Sequence, residues 1–134
     1  AVKEDSTATI RDNRIIGGGV AAVLIQGRAT INGNIFTGIG AKQGSAVWVW
    51  ENSTATISDN SFDGYRAAVK ATKATVTVTG NSIKQFQGTA IIVTDSQKPA
   101  HVHGNTATST DPKAKVADVQ GPSGIVEENV LKDE

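Results

Sequence analysis

The sequence contains no cysteine, no methionine and no excess of either charge. Without cysteine the chain has no disulfide bonds, no thiolate metal ligands and no cysteine nucleophile. Thirteen basic and thirteen acidic side chains balance, so no polybasic surface is built for nucleic-acid phosphates or anionic lipid. No apolar run approaches the roughly 18 residues that a membrane-spanning helix needs. We therefore expect that the chain does not bind nucleic acid and has no membrane-spanning segment. Because methionine is absent even at position 1, we expect a processed form or a piece of a longer protein.

What the sequence does contain is a repeat built around an asparagine. Three close copies share the pattern Ala-Thr-Ile-x-x-Asn, at residues 8–15, 29–36 and 55–62. Three weaker copies follow at residues 76–83, 100–107 and 124–131. The asparagines are Asn13, Asn34, Asn60, Asn81, Asn105 and Asn129, separated by 21, 26, 21, 24 and 24 residues. Self-similarity with a period of this length is the signature of a solenoid.

Apolar positions recur in fixed columns around these asparagines. Three residues before each asparagine stand Ile10, Ile31, Ile57, Val78, Val102 and Val126. Two residues after it stand Ile15, Phe36, Phe62, Ile83, Ala107 and Leu131. A further alternating pair recurs in the middle of the repeat: Val23/Ile25, Val47/Val49, Val69/Ala71, Ile91/Val93 and Ala117/Val119. Alternation predicts strands with every second side chain directed inward, and no segment combines helical periodicity with caps.

The pattern predicts an all-β fold, a right-handed parallel β-helix solenoid of about six rungs with three short strands per rung. The handedness follows from the strong preference of parallel crossovers. Asparagine tolerates left-handed backbone angles, so we expect it to make the bend, with six stacked amides forming a hydrogen-bonded ladder. We expect residues 1–134 to form one domain, a segment of a longer β-helix protein whose remainder, or a second protomer, covers at least one open end of the coil.

These columns and asparagine turns resemble the right-handed parallel β-helix superfamily typified by pectate lyases and alginate epimerases. The resemblance covers the chain from Ser6 to Leu131. It implies that the mid-repeat sheet carries a substrate groove, and in the family's lyases that groove holds Ca²⁺ between clustered carboxylates beside a basic residue. On the corresponding outward column this chain offers one carboxylate, Asp118, and one base, Lys70, two rungs apart. A Ca²⁺ ion takes six to eight oxygen ligands, so this face departs from the lyase pattern.

Other possible sites are incomplete. Glu51 and Asp95 begin turns of two rungs that are not adjacent, at a spacing of about 10 Å, which is marginal for an inverting glycosidase pair.

His101 and His103 share one strand face, with Glu127 as the nearest third ligand for a metal. The triplet 52–54 is an N-glycosylation sequon in a predicted turn, a motif short enough to recur by chance. We therefore assign no catalytic residue, no metal and no cofactor, and leave enzymatic activity undecided.

Trp48 and Trp50 are the only tryptophans, and alternation places both outside the coil on one strand. Large exposed aromatic side chains at adjacent outward positions indicate a partner. They can stack on consecutive sugar rings, with Lys70 beside them, or be covered by the insert at residues 38–45 or by another protein chain. Leu24 and Ile92 extend the same face one and two rungs away, which favours a protein partner.

Three hypotheses about function follow from these features. The first is a β-helix domain of a secreted, periplasmic or cell-surface polysaccharide-related protein, contacting carbohydrate or a partner protein through the tryptophans. The second is part of a polysaccharide lyase, glycoside hydrolase or epimerase whose other catalytic groups lie outside this chain. The third is a structural assembly module that joins protomers as a homo-oligomer.

Overall fold

The structure, a computed structural model, describes residues 1–17, 19–39, 44–120 and 123–133. These residues form a parallel β-solenoid with three strands per turn, as the repeat predicts. The first three rungs contain β1 (Thr7–Arg11), β2 (Arg14–Ile16), β3 (Ala21–Ile25), β4 (Arg28–Asn32), β5 (Ile35–Thr37), β6 (Ser45–Val49), β7 (Thr54–Ser58), β8 (Ser61–Asp63) and β9 (Ala67–Thr72). The next rungs contain β10 (Thr75–Thr79), β11 (Ser82–Lys84), β12 (Thr89–Thr94), β13 (Ala100–His103), β14 (Thr106–Ser109), β15 (Lys115–Val119), β16 (Ser123–Glu127) and β17 (Val130–Asp133). The described chain therefore makes five complete rungs and two strands of a sixth.

The strands stack into three parallel sheets. Sheet 1 has the order β1-β4-β7-β10-β13-β16, sheet 2 the order β2-β5-β8-β11-β14-β17, and sheet 3 the order β3-β6-β9-β12-β15. The observed register pairs like positions of successive repeats, so that Ile31 lies opposite Ile57 and Phe36 opposite Phe62. Because side chains alternate along a strand, this register directs each apolar column into the coil. The columns are buried through the central rungs, whereas Val126 and Leu131 of the last rung are 42% and 41% exposed.

The core consists of these inward columns. In the central rungs Ile31, Ile57 and Val78 are fully buried, as are the mid-repeat valines. Phe36 and Phe62 stack with their ring centroids 4.8 Å apart, and Tyr65 packs edge-on against Phe36. The Tyr65 hydroxyl donates a 2.8 Å hydrogen bond to the Gly17 carbonyl, and burial raises the pKa of this hydroxyl. The aromatic cluster thus ties the corner at residue 17 to the second and third rungs.

The asparagine side chains form the expected hydrogen-bonded stack on the inner side of one corner. The Asn60 Oδ1 accepts from the backbone N–H and from the Nδ2 of Asn34, at 2.9 and 3.0 Å. The Asn60 Nδ2 donates to the Ile31 carbonyl and to the Asn81 Oδ1, at 3.0 and 3.1 Å. The same four bonds recur at Asn81 and Asn105. Asn34 has three of them, because the Asn13 Nδ2 donates to the Arg11 carbonyl of its own rung and not to the Asn34 Oδ1. An amide with both donors and its acceptor satisfied can be buried at little cost.

The left-handed bend falls on the residue before each asparagine, which corrects the expectation that the asparagine itself would adopt it. These preceding residues have φ between 55° and 69°, and they are Asp12, Gly33, Asp59, Gly80, Gly104 and Glu128. The bend there turns the following asparagine inward, where its amide meets the neighbouring rungs. A Cβ on Gly80 would lie 2.5 Å from the Asp59 Oδ1, so the aspartate carboxylate occupies the space that the glycine of the next rung leaves open.

Truncation of the aromatic column tests the core. Phe62→Ala should lower the free energy of unfolding by about 3 to 5 kcal/mol, because it removes a fully buried ring and leaves a cavity beside Phe36. Ser61→Ala, one residue away on the exposed side of the same strand, should change it by less than about 0.5 kcal/mol. Denaturant unfolding followed by circular dichroism measures both, and equal effects would contradict the inward assignment.

Substitution within the ladder tests the hydrogen bonds. Asn60→Leu should lower the free energy of unfolding by about 3 kcal/mol or more, since it leaves the Asn34 N–H and Nδ2 groups and the Ile31 carbonyl without their partner. Asp59→Gly should be close to neutral, because glycine adopts the left-handed φ of 55° at that position without strain. Denaturant unfolding of the two variants measures both changes. Similar decreases in the free energy of unfolding at the two positions would argue against the ladder.

Candidate functional site

The outer face of sheet 3 carries the side chains that the alternation predicts. Trp48 on β6 lies opposite Leu24 on one side and Lys70 on the other. Lys70 in turn lies opposite Ile92, and Ile92 opposite Asp118. The column therefore has the predicted order, with the lysine and the aspartate separated by the rung of Ile92.

The two tryptophans contact each other and do not form one flat surface. Their ring centroids are 5.7 Å apart and their planes meet at 66°, an edge-to-face arrangement. The Lys70 Nζ lies 4.9 Å from the centre of the Trp48 ring, in cation–π contact. Trp48 is half-buried, whereas Trp50 is 39% exposed. The two rings therefore do not form one flat platform for successive sugars, and Trp50 is the more exposed of the two.

A groove of about 620 Å³ opens beside Trp50, at the corner between sheets 3 and 1. We call it the Trp50 groove. It is lined by Glu4, Asp5, Ser6, Thr7, Gln26, Gly27, Arg28, Trp50, Glu51, Asn52 and Thr54. Apart from the indole and one glycine, every lining residue has a polar side chain, so the groove offers many hydrogen-bonding groups around one aromatic wall.

Two turns and the amino-terminal segment shape this groove. The Val2 N–H donates to the Leu24 carbonyl at 2.8 Å, which joins the segment to the edge of β3. The chain then turns back, with the Ser6 N–H bonded to the Lys3 carbonyl at 3.0 Å. A Cβ on Gly27 would clash with the backbone carbonyl oxygens of Ser6 and Lys3. Only glycine lets the segment lie this close to the β3–β4 turn.

A second groove, of about 480 Å³, lies on the other side of the tryptophan pair. We call it the Trp48 groove. It is lined by Val20, Gly44, Ser45, Trp48, Arg66, Ala67, Lys70, Gln87, Gly88, Thr89 and Ile92. Its formal charges are both positive, whereas the Trp50 groove holds three carboxylates and one arginine. Within the described chain the Trp48 Nε1 is buried without a hydrogen-bond partner.

The residues considered for catalysis and metal binding stay apart. Glu51 and Asp95 are both exposed, in turns separated by the rung of Lys73. His103 lies opposite Glu127 in the register but bonds to the next residue, with its Nε2 3.0 Å from the Glu128 Oε2. Over the described residues, no three His, Asp or Glu side chains are grouped so as to hold a metal ion. No reaction can be assigned to these groups.

Sequence reasoning missed most of the Trp50 groove. Glu4, Asp5 and Arg28 reach it from the non-repeating amino-terminal segment and from the start of β4. The one available signal was Gly27, which stands where other rungs carry Ser53 or Ala74 and so indicated a close backbone approach. The insert at residues 38–45 is one of the alternative covers for the tryptophans, and its residues 40–43 lie outside the described residues.

One of three comparisons with known proteins found a match, and that match agrees with this architecture. No helix in the described part of the chain has the length and apolarity that a membrane crossing requires. Neither a curated protein nor a solved structure matches the chain. The family model described as the right-handed beta helix region matches residues 1–133. The chain therefore belongs to the right-handed β-helix family.

Proposed function

We propose that this β-helix domain is a carbohydrate-contacting module of a secreted or cell-surface polysaccharide-related protein, and that the Trp50 groove is its contact site. The observation that carries the proposal is the exposed Trp50 ring at the wall of a groove with a polar lining. A pyranose ring has an apolar C–H face and a rim of hydroxyl groups. The indole can pack against the apolar C–H face, and the surrounding amides, carboxylates and guanidinium can hydrogen-bond to the hydroxyl groups.

The contact is centred on Trp50 and not on Lys70. Lys70 lies over Trp48 on the far side of the pair, and it lines the Trp48 groove and not the Trp50 groove. Its role is to pack against Trp48, which in turn supports the Trp50 ring edge-on. A rigid, supported aromatic side chain loses little conformational freedom when a ligand stacks on it.

Binding is a better account of this site than catalysis. Glycoside hydrolysis needs two carboxylates on opposite sides of the scissile bond. The groove's acidic side chains are Glu4 and Asp5 from the amino-terminal segment and Glu51 from the turn after β6. All three of these carboxylates are exposed, and among the described residues none of them is in an ion pair that would hold it in a catalytic position.

Loss of the Trp50 ring should abolish most of the binding. Electrophoresis of the purified chain through gels containing glucan, xylan, mannan or polygalacturonate should show retardation by at least one polymer. Trp50→Ala should weaken that interaction at least about tenfold, as expected for removal of a central aromatic contact. Trp50 lines this site and Trp48 packs edge-on against it, so a change in indole emission on titration with oligosaccharides of the retarding polymer gives an independent readout.

Two matched variants locate the contact. Lys70→Ala, beside the other groove, and Thr56→Ala, on the exposed face of sheet 1, should change the affinity less than about twofold. If no polymer retards the chain, the proposal fails. If Trp50→Ala instead changes the sedimentation behaviour of the chain, the tryptophans serve a contact between protein chains and the proposal fails as well.

Displacement of the amino-terminal wall should weaken the same interaction without unfolding the coil. Gly27→Ala introduces a Cβ against the carbonyl oxygens of Ser6 and Lys3, so the segment must move away from the groove. We expect at least about a threefold loss of affinity, with circular dichroism unchanged. Gly104→Asn, at a left-handed bend that asparagine tolerates and where a Cβ would meet nothing nearer than the Gly80 nitrogen at 3.9 Å, should leave the affinity unchanged. Equal affinity in the Gly27 variant would show that the segment is not part of the site.

A further inference from the structure

Asn52, Ser53 and Thr54 form the only Asn-x-Ser/Thr triplet in the chain, and the structure places it at the rim of the Trp50 groove. The triplet follows β6 and reaches the first residue of β7. Asn52 and Thr54 are exposed, whereas the middle residue, Ser53, is buried. The two side chains that an N-glycosylation sequon requires are therefore both accessible, on a surface turn.

The local backbone presents Asn52 outward. The Ser53 N–H donates to the Trp50 carbonyl at 3.2 Å, which closes a turn from Trp50 to Ser53. Asn52 has a φ of 63°, a left-handed conformation that asparagine adopts at little cost. Its Oδ1 accepts from the Gln97 Nε2 at 2.6 Å, and its Nδ2 donates to no other described residue. The nitrogen that would carry a sugar thus has no competing partner within the described chain.

Trp50 stands two residues before this asparagine, at the other end of the same turn, and both residues line the Trp50 groove. We propose that Asn52 is an N-glycosylation acceptor and that the first sugar of the attached glycan packs its C–H face on the Trp50 ring. A sugar fixed at Asn52 needs no loss of translational freedom to reach the indole, so this contact has a high effective concentration.

The modification is a group transfer from a lipid-pyrophosphate-linked oligosaccharide, catalysed by the oligosaccharyltransferase of a secretory pathway. The Asn52 Nδ2 forms a bond to the anomeric carbon of the first sugar and loses one proton. The bond between that carbon and the pyrophosphate oxygen breaks, and the lipid pyrophosphate leaves with the electron pair. No electrons are exchanged with an outside oxidant or reductant.

This inference goes beyond the binding of free carbohydrate. The attached glycan fills the Trp50 groove from within the same molecule, so the modified chain should bind free polysaccharide less tightly than the unmodified chain. The two proposals can fail separately. Gel retardation of unmodified protein tests binding alone, and the modification is read from mass and thermal stability.

The first measurement is the mass of the full chain secreted from cultured mammalian cells. We expect an increase by one N-linked glycan, removed by peptide-N-glycosidase with conversion of Asn52 to aspartate. Thr54→Ala, which keeps Asn52 and breaks the sequon, should be secreted without the glycan. Thr56→Ala, the next outward threonine on the same strand, should carry it in full. A secreted wild-type chain without the glycan would overturn the proposal.

The second measurement tests the packing on Trp50. The glycosylated chain, trimmed to its first sugars, should melt about 3 to 5 °C above the enzymatically deglycosylated chain, the shift that a modest apolar contact gives in a domain of this size. In the Trp50→Ala background the glycan should produce no such shift, and secondary structure by circular dichroism verifies that this variant is folded. A glycan whose effect on melting is the same with and without the indole would overturn the assigned contact.

Discussion

Each buried asparagine amide in this protein is shared between three rungs. Its oxygen accepts from the preceding asparagine, and its nitrogen donates to a backbone carbonyl of the preceding rung and to the next asparagine. A slip of one residue between rungs would leave these buried groups without partners and would turn the inward side chains outward. The amide stack therefore fixes the register of sheets 1 and 2, and through the short turns it fixes the register of sheet 3 as well.

The register explains at which positions of the repeat different residue types are tolerated. Inside the coil every rung must present an apolar side chain of suitable size, and at the corner an asparagine preceded by a residue that accepts a left-handed bend. Aspartate and glycine share that bend position in neighbouring rungs, as at Asp59 and Gly80, because the carboxylate lies where the glycine has no side chain. Outward positions and the other turns carry no such constraint. These positions, where the sequence departs from the repeat, carry the tryptophan pair, the Asn52 turn and the Gly27 contact.

The fold could be predicted from the sequence because its determinants are periodic. The repeat predicts the strands, their stacking and the pairing of Trp48 with Lys70. It does so through the spacing of Asn34, Asn60 and Asn81 and through the apolar columns that flank them. The angle between the two indoles could not be predicted, since it depends on side-chain torsions that periodicity does not constrain. The same holds for the amino-terminal segment, which reaches the groove through a non-repeating path over Gly27, and for His103, which bonds to Glu128 and not to its register partner Glu127. The left-handed bend lies on the residue before each asparagine. The sequence does not distinguish this position from the asparagine itself, because both aspartate and asparagine tolerate that conformation.

Native-state hydrogen exchange tests the role of the asparagine stack most directly. The backbone N–H groups of Asn34, Asn60 and Asn81 each donate to the side chain of the next asparagine and not to a strand partner. If the stack holds the rungs together, these three amides and their side-chain NH₂ groups should exchange only through openings whose free energy approaches that of global unfolding. Exchange at the rate of an exposed turn amide, while the sheet amides of β7 and β10 stay protected, would contradict the account.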